Sequence, residues 1–130
     1  MKKKILLIDD SLPIRFLLEA MLDKKYSTIS AQDGLGAIMW LMKGNTPDAI
    51  ITDLAMPNVN GWELLDYLSD SELYKDIPVV VLSGSIGSDT AAITARYSNV
   101  VEVMEKPFDP VQLLGKVETV FNRKKEYATP

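Results

Sequence analysis

Two short apolar runs of this chain end in aspartate, and they constrain its fold more than any other feature. Residues 5–8 are followed by Asp9 and Asp10, and residues 50–52 are followed by Asp53. A short continuous apolar run bounded by polar residues is typical of a strand buried on both faces of a parallel sheet. Ligands bind such sheets at the carboxyl ends of the strands, where the strand order reverses. We therefore expect the three carboxylates to converge at that edge.

Three carboxylates that lie close together repel one another unless a cation lies among them. Mg²⁺ suits a site made of a few carboxylates, one backbone carbonyl and water, because it keeps several waters and leaves positions for phosphate oxygens. The sequence therefore predicts a Mg²⁺ site that includes Asp9, Asp10 and Asp53.

Composition excludes several classes of function. A chain of 130 residues fits one domain with a single core. Its formal net charge of -4 argues against nucleic-acid binding through a basic surface, so the expected partner is a protein. The sequence has no histidine, which excludes Ser-His-Asp triads and other histidine-based catalysis. It has no cysteine either, which excludes disulfides and thiolate chemistry.

No targeting segment or membrane span is predicted. The apolar run that follows Lys2, Lys3 and Lys4 ends at Asp9, which is too early for a signal peptide or a bilayer-spanning helix. Together with the absence of cysteine, this favours a cytoplasmic location.

Strand patterns alternate with helix patterns along the chain. The predicted strands are residues 5–8, 26–31, 49–52, 79–82 and 100–104, and the last helix has a predicted apolar stripe of Val111, Leu114, Val117 and Phe121. Glu102 interrupts the fifth strand, as expected at an edge that meets water. Five βα units predict a doubly wound α/β domain with a parallel sheet in the order 2-1-3-4-5. The first and fifth helices should cover one face and the other three helices the opposite face.

Polar residues follow two further strands at the same edge of the sheet. Ser83 and Gly84 follow the fourth strand, and Lys106 follows the fifth. With the aspartates they make a set suited to phosphoryl transfer: acids for a metal, a carboxylate nucleophile, and a hydroxyl and an ammonium to hold phosphoryl oxygens. Ser83 could also simply begin a loop or cap a helix, and the aspartate pair could be ordinary turn residues.

These motifs, in this order, give the chain its family resemblance. It resembles a receiver domain of two-component response regulators, of the kind represented by single-domain chemotaxis regulators. The matching segments are Asp9-Asp10, residues 53–57 followed by Gly61, Ser83-Gly84 and residues 106–108, within a similarity that spans about residues 4–122. The resemblance implies a flavodoxin-like fold with five helices in a receiver domain of residues 1–122, followed by a C-terminal tail of residues 123–130.

The resemblance also implies a role for each polar residue at the edge. Asp53 would be the phosphoacceptor, Lys106 would contact the phosphoryl group and Ser83 would be the switch hydroxyl. Mg²⁺ would be bound by Asp10, Asp53 and the Ala55 backbone carbonyl, with Asp9 assisting through water. The expected donor is a phosphohistidine on a sensor histidine kinase or a phosphotransfer protein. Such a domain is a signalling module that promotes its own phosphorylation and slow dephosphorylation, and not an enzyme.

One departure from the family pattern concerns the output. The family commonly has Tyr or Phe three residues before the lysine, and here that position is Val103; residues 98–100 also replace the usual Gly-Ala. We expect phosphorylation to shift the surface formed by the fourth helix, fifth strand and fifth helix, without a ring switch. That surface should bind a protein target.

Three other interpretations are retained. The chain could be a receiver domain excised from a longer response regulator or hybrid kinase. A Mg²⁺-dependent phosphohydrolase with an aspartyl-phosphate intermediate would place an acid two residues after its nucleophile, where this chain has Ala55. A flavodoxin-like electron carrier would have a Ser, Thr and Gly-rich phosphate loop after the first strand, where this chain has Asp9 and Asp10.

Overall fold

The chain folds into a five-stranded parallel sheet in the order β2-β1-β3-β4-β5. The structure is a computed structural model that describes residues 2–56, 58–84 and 89–128. Its strands are β1 (Lys4–Ile8), β2 (Ser27–Ala31), β3 (Ala49–Asp53), β4 (Val79–Ser83) and β5 (Val100–Glu105). Its helices are α1 (Leu12–Leu22), α2 (Gly34–Met42), α3 (Gly61–Ser69), α4 (Asp89–Arg96) and α5 (Pro110–Ala128). The predicted α/β class and strand order are confirmed.

Capping residues fix where three of the helices begin. Ser11 accepts a hydrogen bond from the Ile14 amide at the start of α1, and Asp33 accepts one from the Gly36 amide at the start of α2. Asn60 and Glu63 form a reciprocal capping box at α3. Each cap satisfies amide groups that have no partner inside the helix. The capped helices α1, α2 and α3 begin at Leu12, Gly34 and Gly61, shortly after the strands that precede them.

Helices cover both faces of the sheet, as predicted. One core cluster joins the sheet to α2, α3 and α4 through Ala37, Leu41, Leu64, Leu65, Leu68, Ile93 and Tyr97. The opposite cluster joins it to α1 and α5 through Leu18, Leu22, Leu113, Val117 and Val120. Because β1, β3 and β4 are covered on both sides, their apolar residues are almost completely buried.

The last helix differs in detail from the sequence prediction. Its buried line runs through Leu113, Val117 and Val120, whereas Val111 is 79% exposed. The predicted stripe was therefore wrong at its first residue. The helix extends to Ala128, beyond the predicted domain boundary at residue 122. Among the described residues, no helix has the length and apolarity needed to cross a bilayer.

Part of the segment that follows β4 lies outside the described residues. Ser83 and Gly84 are described, but residues 85–88, which include Gly87, are not. Pro57 of the predicted motif and residues 129–130 of the predicted tail also lie outside them.

Candidate functional site

The carboxyl ends of β1 and β3 bring three aspartates together. Asp9, Asp10 and Asp53 each offer a carboxylate oxygen, and these oxygens all lie within 4.8 Å of one another. Asp9 and Asp53 are buried, whereas Asp10 is exposed. β1 and β3 pair directly, with Ile8 opposite Thr52, so the residues that follow them are neighbours. The predicted convergence of the three carboxylates is confirmed.

Lys106 is the cation that faces this cluster. Its Nζ lies 2.7 Å from Asp9 Oδ2 and 3.2 Å from Asp53 Oδ2, and its side chain is only 19% exposed. Burial alone would lower the pKa of the Lys106 ammonium. The hydrogen bond and charge of Asp9, with those of Asp53, outweigh burial and raise that pKa above its ordinary value. Lys106 is therefore held protonated against both buried carboxylates.

Backbone amides orient the Asp53 carboxylate. Its Oδ1 accepts hydrogen bonds from the Leu54 amide at 2.7 Å and the Ala55 amide at 3.3 Å, which turns Oδ2 towards Lys106. The Thr52 hydroxyl donates to the Asp53 carbonyl oxygen at 2.9 Å. Ala55 itself is exposed, so its methyl group does not cover the site.

Asp9 is held more completely than Asp10. Asp9 Oδ1 accepts a hydrogen bond from the Ser11 amide at 2.8 Å, and Oδ2 accepts one from Lys106. Arg15 Nη1 donates to the Asp9 carbonyl oxygen at 2.5 Å, a contact that the sequence analysis missed. The Asp10 carboxylate makes no hydrogen bond within the described part of the chain. Asp10 is thus the carboxylate most open to an incoming cation.

Ser83 and Lys106 are joined through their backbones. The Lys106 amide donates to the Ser83 carbonyl oxygen at 2.8 Å, and Ser83 lies opposite Glu105 in the pairing of β4 with β5. Ser83 is buried and Gly84 is exposed. The end of β4 is therefore fixed to the end of β5 beside the acidic cluster, as the strand order requires.

The donor set fits a hard divalent cation. Within the described residues, the Lys106 ammonium pairs with two of the three carboxylates, and every side-chain ligand that the three offer is oxygen. Mg²⁺ prefers such ligands and retains water where the protein offers none. Asp10 at the exposed rim and Asp53 beneath it could both bind such an ion.

Sequence comparison places the chain in a family. The model of the response regulator receiver domain matches residues 5–118, which is most of the chain. The chain belongs to the response regulator receiver domain family. It is therefore a receiver domain of two-component signalling, and the resemblance noted from its motifs is confirmed.

Relatives of this receiver domain occur in proteins of different length. The chemotaxis protein CheY homolog of Campylobacter jejuni is 31% identical over 119 residues, a match that covers 90% of this chain and 91% of that protein. The hybrid signal transduction histidine kinase D of Dictyostelium discoideum is 27% identical over 124 residues, which cover 95% of this chain but 8% of that protein. The chain thus spans a small fraction of some relatives and nearly all of others.

A solved structure agrees with the observed fold. The chemotaxis response regulator CheY4 of Vibrio cholerae superimposes with a TM-score of 0.83 at 28% identity, over 92% of this chain and 99% of that one. The flavodoxin-like arrangement expected from the sequence is therefore the arrangement of a known chemotaxis regulator.

Proposed function

We propose that this receiver domain accepts a phosphoryl group on Asp53 in a Mg²⁺-dependent reaction. The observation that carries the proposal is the position of the Asp53 carboxylate, at the end of a buried central strand and within 4.8 Å of the oxygens of Asp9 and Asp10. One oxygen of Asp53 is held by backbone amides and the other faces Lys106. A nucleophile held in this way reacts without first losing the freedom of its side chain.

The reaction is a displacement at phosphorus. The Asp53 Oδ2 lone pair forms the new bond to phosphorus, and the bond from phosphorus to the donor breaks. With a phosphohistidine donor, the imidazole nitrogen keeps the electron pair and takes up a proton. The product is an acyl phosphate on Asp53, and attack of water on its phosphorus returns the carboxylate and inorganic phosphate.

Each neighbouring residue has a role in this proposal. Lys106 is already hydrogen bonded to Asp53 Oδ2, and its compact ammonium would pair with an oxygen of the added phosphoryl group. The Ser83 hydroxyl would bind another phosphoryl oxygen from the end of β4. Asp10, Asp53 and the Ala55 carbonyl would hold Mg²⁺, with Asp9 contributing through water. When bound, the ion would offset the repulsion between the acidic cluster and the anionic donor.

The residue at position 55 argues against a dedicated phosphohydrolase. Ala55 is exposed and cannot donate a proton to a leaving group, so the chain lacks the acid that fast phosphoester turnover needs. Asp9 and Asp10 at the first strand end would repel a flavin phosphate, which disfavours an electron carrier. A slow phosphorylation cycle with one acceptor carboxylate is the function that remains.

The proposed output surface is the one formed by α4, β5 and α5. Ser83 and Lys106 lie at the ends of the two strands next to it, so movement of either side chain would be transmitted there. A groove of about 400 Å³ between β5 and α5 is lined by Glu102, Glu105 and Asp109 together with Lys116. A protein partner with basic residues would complement these acids. The phosphate would bias two arrangements of this surface that exist beforehand.

The proposal also covers the phosphoryl donor and the extent of the domain. The proposed donor is the phosphohistidine of a sensor histidine kinase or a phosphotransfer protein. The proposed receiver unit is residues 1–122, with residues 123–130 as a tail, either alone or within a longer regulator.

The test is mass spectrometry after incubation with acetyl phosphate and MgCl₂. The expected result is the addition of one phosphoryl group, which should not occur in excess chelator or in the Asp53→Asn variant. The Asp53→Asn variant should remain folded and unfold at or above the temperature of the unaltered protein, because one repelling charge is gone. Asp10→Ala should weaken Mg²⁺ binding without removing the acceptor. A phosphorylated Asp53→Asn protein would refute the assignment of the acceptor, and equal labelling in chelator would refute the role of the metal.

A further inference from the structure

The loop between β3 and α3 is anchored to two different parts of the fold. Near β3, the amides of Leu54 and Ala55 bond to Asp53, and the Gly61 amide donates to the Leu54 carbonyl oxygen at 2.9 Å. Within the loop, Asn58 Nδ2 donates to Asp33 Oδ2 at 2.8 Å. We call this second contact the Asp33–Asn58 bridge. It joins the loop to the start of α2, which follows the edge strand β2.

Asp33 does more than cap its helix. Its Oδ1 accepts a hydrogen bond from the Gly36 amide at 2.8 Å, and capping α2 needs only that oxygen. Its second oxygen is free to accept from Asn58, and the residue is buried, with 7% of its surface exposed. A serine in its place would cap the helix but would have no second acceptor directed at the loop.

The backbone around the bridge is built for close approach. Asn58 has a φ of 63°, in the left-handed region that asparagine and glycine adopt most readily. The Gly34 amide donates to the Val59 carbonyl oxygen at 3.2 Å. A Cβ atom added to Gly34 would lie 2.3 Å from that same oxygen, so no larger residue fits there. Two hydrogen bonds and two special backbone positions thus fix one short stretch of loop.

Ala55 takes part in the anchor near β3 through its amide, and its carbonyl is on the side of the Asp33–Asn58 bridge. Its side chain is exposed, so packing contributes little to holding its backbone in place. The hydrogen bonds of the two anchors must do so instead. The anchor near β3 uses the carboxylate of the proposed acceptor, so it cannot be removed without changing that residue. The Asp33–Asn58 bridge joins two side chains outside the acidic cluster, and mutation can therefore remove it alone.

We propose that Asp33 and Asn58 are positioning residues that set the Mg²⁺ affinity of the acidic cluster by fixing the backbone at Ala55. This inference rests on the proposed function, which assigns the Ala55 carbonyl to the metal. Neither residue touches the cluster, and neither acts in the chemistry. Loss of the bridge would let the loop sample other arrangements, and metal binding would then have to order it.

The test uses two variants that remove the bridge from opposite ends. Asp33→Ser keeps a helix-capping residue, and Asn58→Gly keeps the left-handed backbone. Titration with MgCl₂, followed by amide chemical shifts, should show a dissociation constant raised by about threefold to tenfold in each variant. The double variant should resemble either single variant, since both remove the same contact. In the metal-free protein, amide exchange of residues 54–56 and 58–60 should become faster.

The matched control is Tyr97→Phe. It removes a hydrogen bond of 2.6 Å between Tyr97 Oη and Asp66 Oδ1, far from the cluster. It should leave Mg²⁺ affinity unchanged although it lowers stability. Equal weakening by Tyr97→Phe, or unchanged affinity in Asp33→Ser and Asn58→Gly, would overturn the inference while the proposed function stands. Failure of the unaltered protein to bind Mg²⁺ at all would overturn both.

Discussion

β3 and β5 both end at the acidic cluster, but their surroundings differ. Every residue of Ala49–Asp53 is buried, whereas along Val100–Glu105 only Val100 and Met104 are buried. β3 pairs with strands on both sides, while β5 pairs with β4 alone, and that pairing shifts register between Val79 and Val80. The central strand encloses the carboxylate that we propose as the acceptor, and the edge strand leaves part of its surface exposed.

This contrast predicts that changes beside β3 affect stability most. Gly61→Ala should lower the free energy of unfolding by about 3 kcal/mol, because overpacking forces backbone to move. The added Cβ would lie 2.6 Å from the Asp53 carbonyl oxygen and 2.5 Å from Leu54 Cα. Acyl-phosphate labelling should fall as well, since the displaced carbonyl belongs to Asp53, the proposed acceptor. Urea unfolding and mass spectrometry measure the two effects.

The control for that variant is Gly115→Ala in α5. Apart from the neighbouring residues and backbone of α5, no described atom lies within 4 Å of a Cβ added at Gly115, so this variant should gain about 0.5–1 kcal/mol from helix propensity. A Gly61→Ala protein that is as stable as Gly115→Ala would contradict the claim that β3 is rigidly enclosed.

Lys106→Met tests the residue that connects the ends of the two strands. Lys106 follows β5, and its side chain pairs with Asp53 at the end of β3. The variant should lose about 2 kcal/mol at neutral pH, because the buried carboxylates of Asp9 and Asp53 lose their counterion. Labelling should fall about tenfold or more. Lys25→Met, which breaks an exposed pair with Glu118 at 3.0 Å, should change stability by less than about 0.5 kcal/mol.

The pH dependence of the Lys106 effect has a definite sign. The raised pKa of Lys106 means that the ion pair contributes fully below its ordinary pKa and is lost as the pH rises through the folded value. The stability difference between the unaltered protein and Lys106→Met should therefore be constant at neutral pH and shrink above about pH 10.4. A difference that grew with alkalinity would contradict the pairing.

Tyr97→Phe tests the contact between Asp66 on α3 and the residue that follows α4. Burial, followed by the hydrogen bond to Asp66, raises the pKa of Tyr97 from 10.0 to about 12. Stability from this hydroxyl is thus present below pH 10 and is lost as the pH approaches 12. The variant should be less stable by about 1 kcal/mol at pH 8, with a smaller deficit at pH 11. Urea midpoints at the two pH values measure the change.

The smallest effect is expected on β5 itself. Val103→Tyr should change stability by less than about 0.5 kcal/mol, because the side chain is only partly buried at the sheet edge. Labelling should stay within about twofold of the unaltered rate. Beryllofluoride is a mimic of the phosphoryl group. When it is added, the amide exchange rates of residues in α4 and β5 should change in both the unaltered protein and Val103→Tyr. A tenfold loss of labelling would show that β5 is part of the chemistry and remove the contrast with β3.

The sequence predicted the fold and the carboxylate cluster because both depend on local signals. Apolar runs mark buried strands, and aspartates that follow them must meet at one edge. The phase of α5 was harder to predict. Val111 is apolar and has the right helical spacing, but it lies in the first turn of α5. The residues of α5 that face the core are Leu113, Val117 and Val120, and the spacing of apolar residues alone does not distinguish the two alignments.

Contacts with the backbone were beyond sequence reasoning. Arg15 binds the carbonyl oxygen of Asp9, and a carbonyl oxygen has no signature in the residue type. Asp33 could be identified as a cap before Gly34, but its second partner, Asn58, is distant in the chain. Only the folded loop shows that the two side chains meet.

The contact of Gly61 with the peptide after Asp53 has an optical consequence. The next residue is Trp62, a half-buried indole whose ring centroid lies 6.3 Å from that of Tyr97. The Gly61 amide donates to the Leu54 carbonyl oxygen, so a rearrangement at the proposed acceptor would reach the start of α3 through this hydrogen bond. We expect the emission of Trp62 to change when the site is filled. The Trp62→Phe protein, which retains Trp40 on α2, provides the blank.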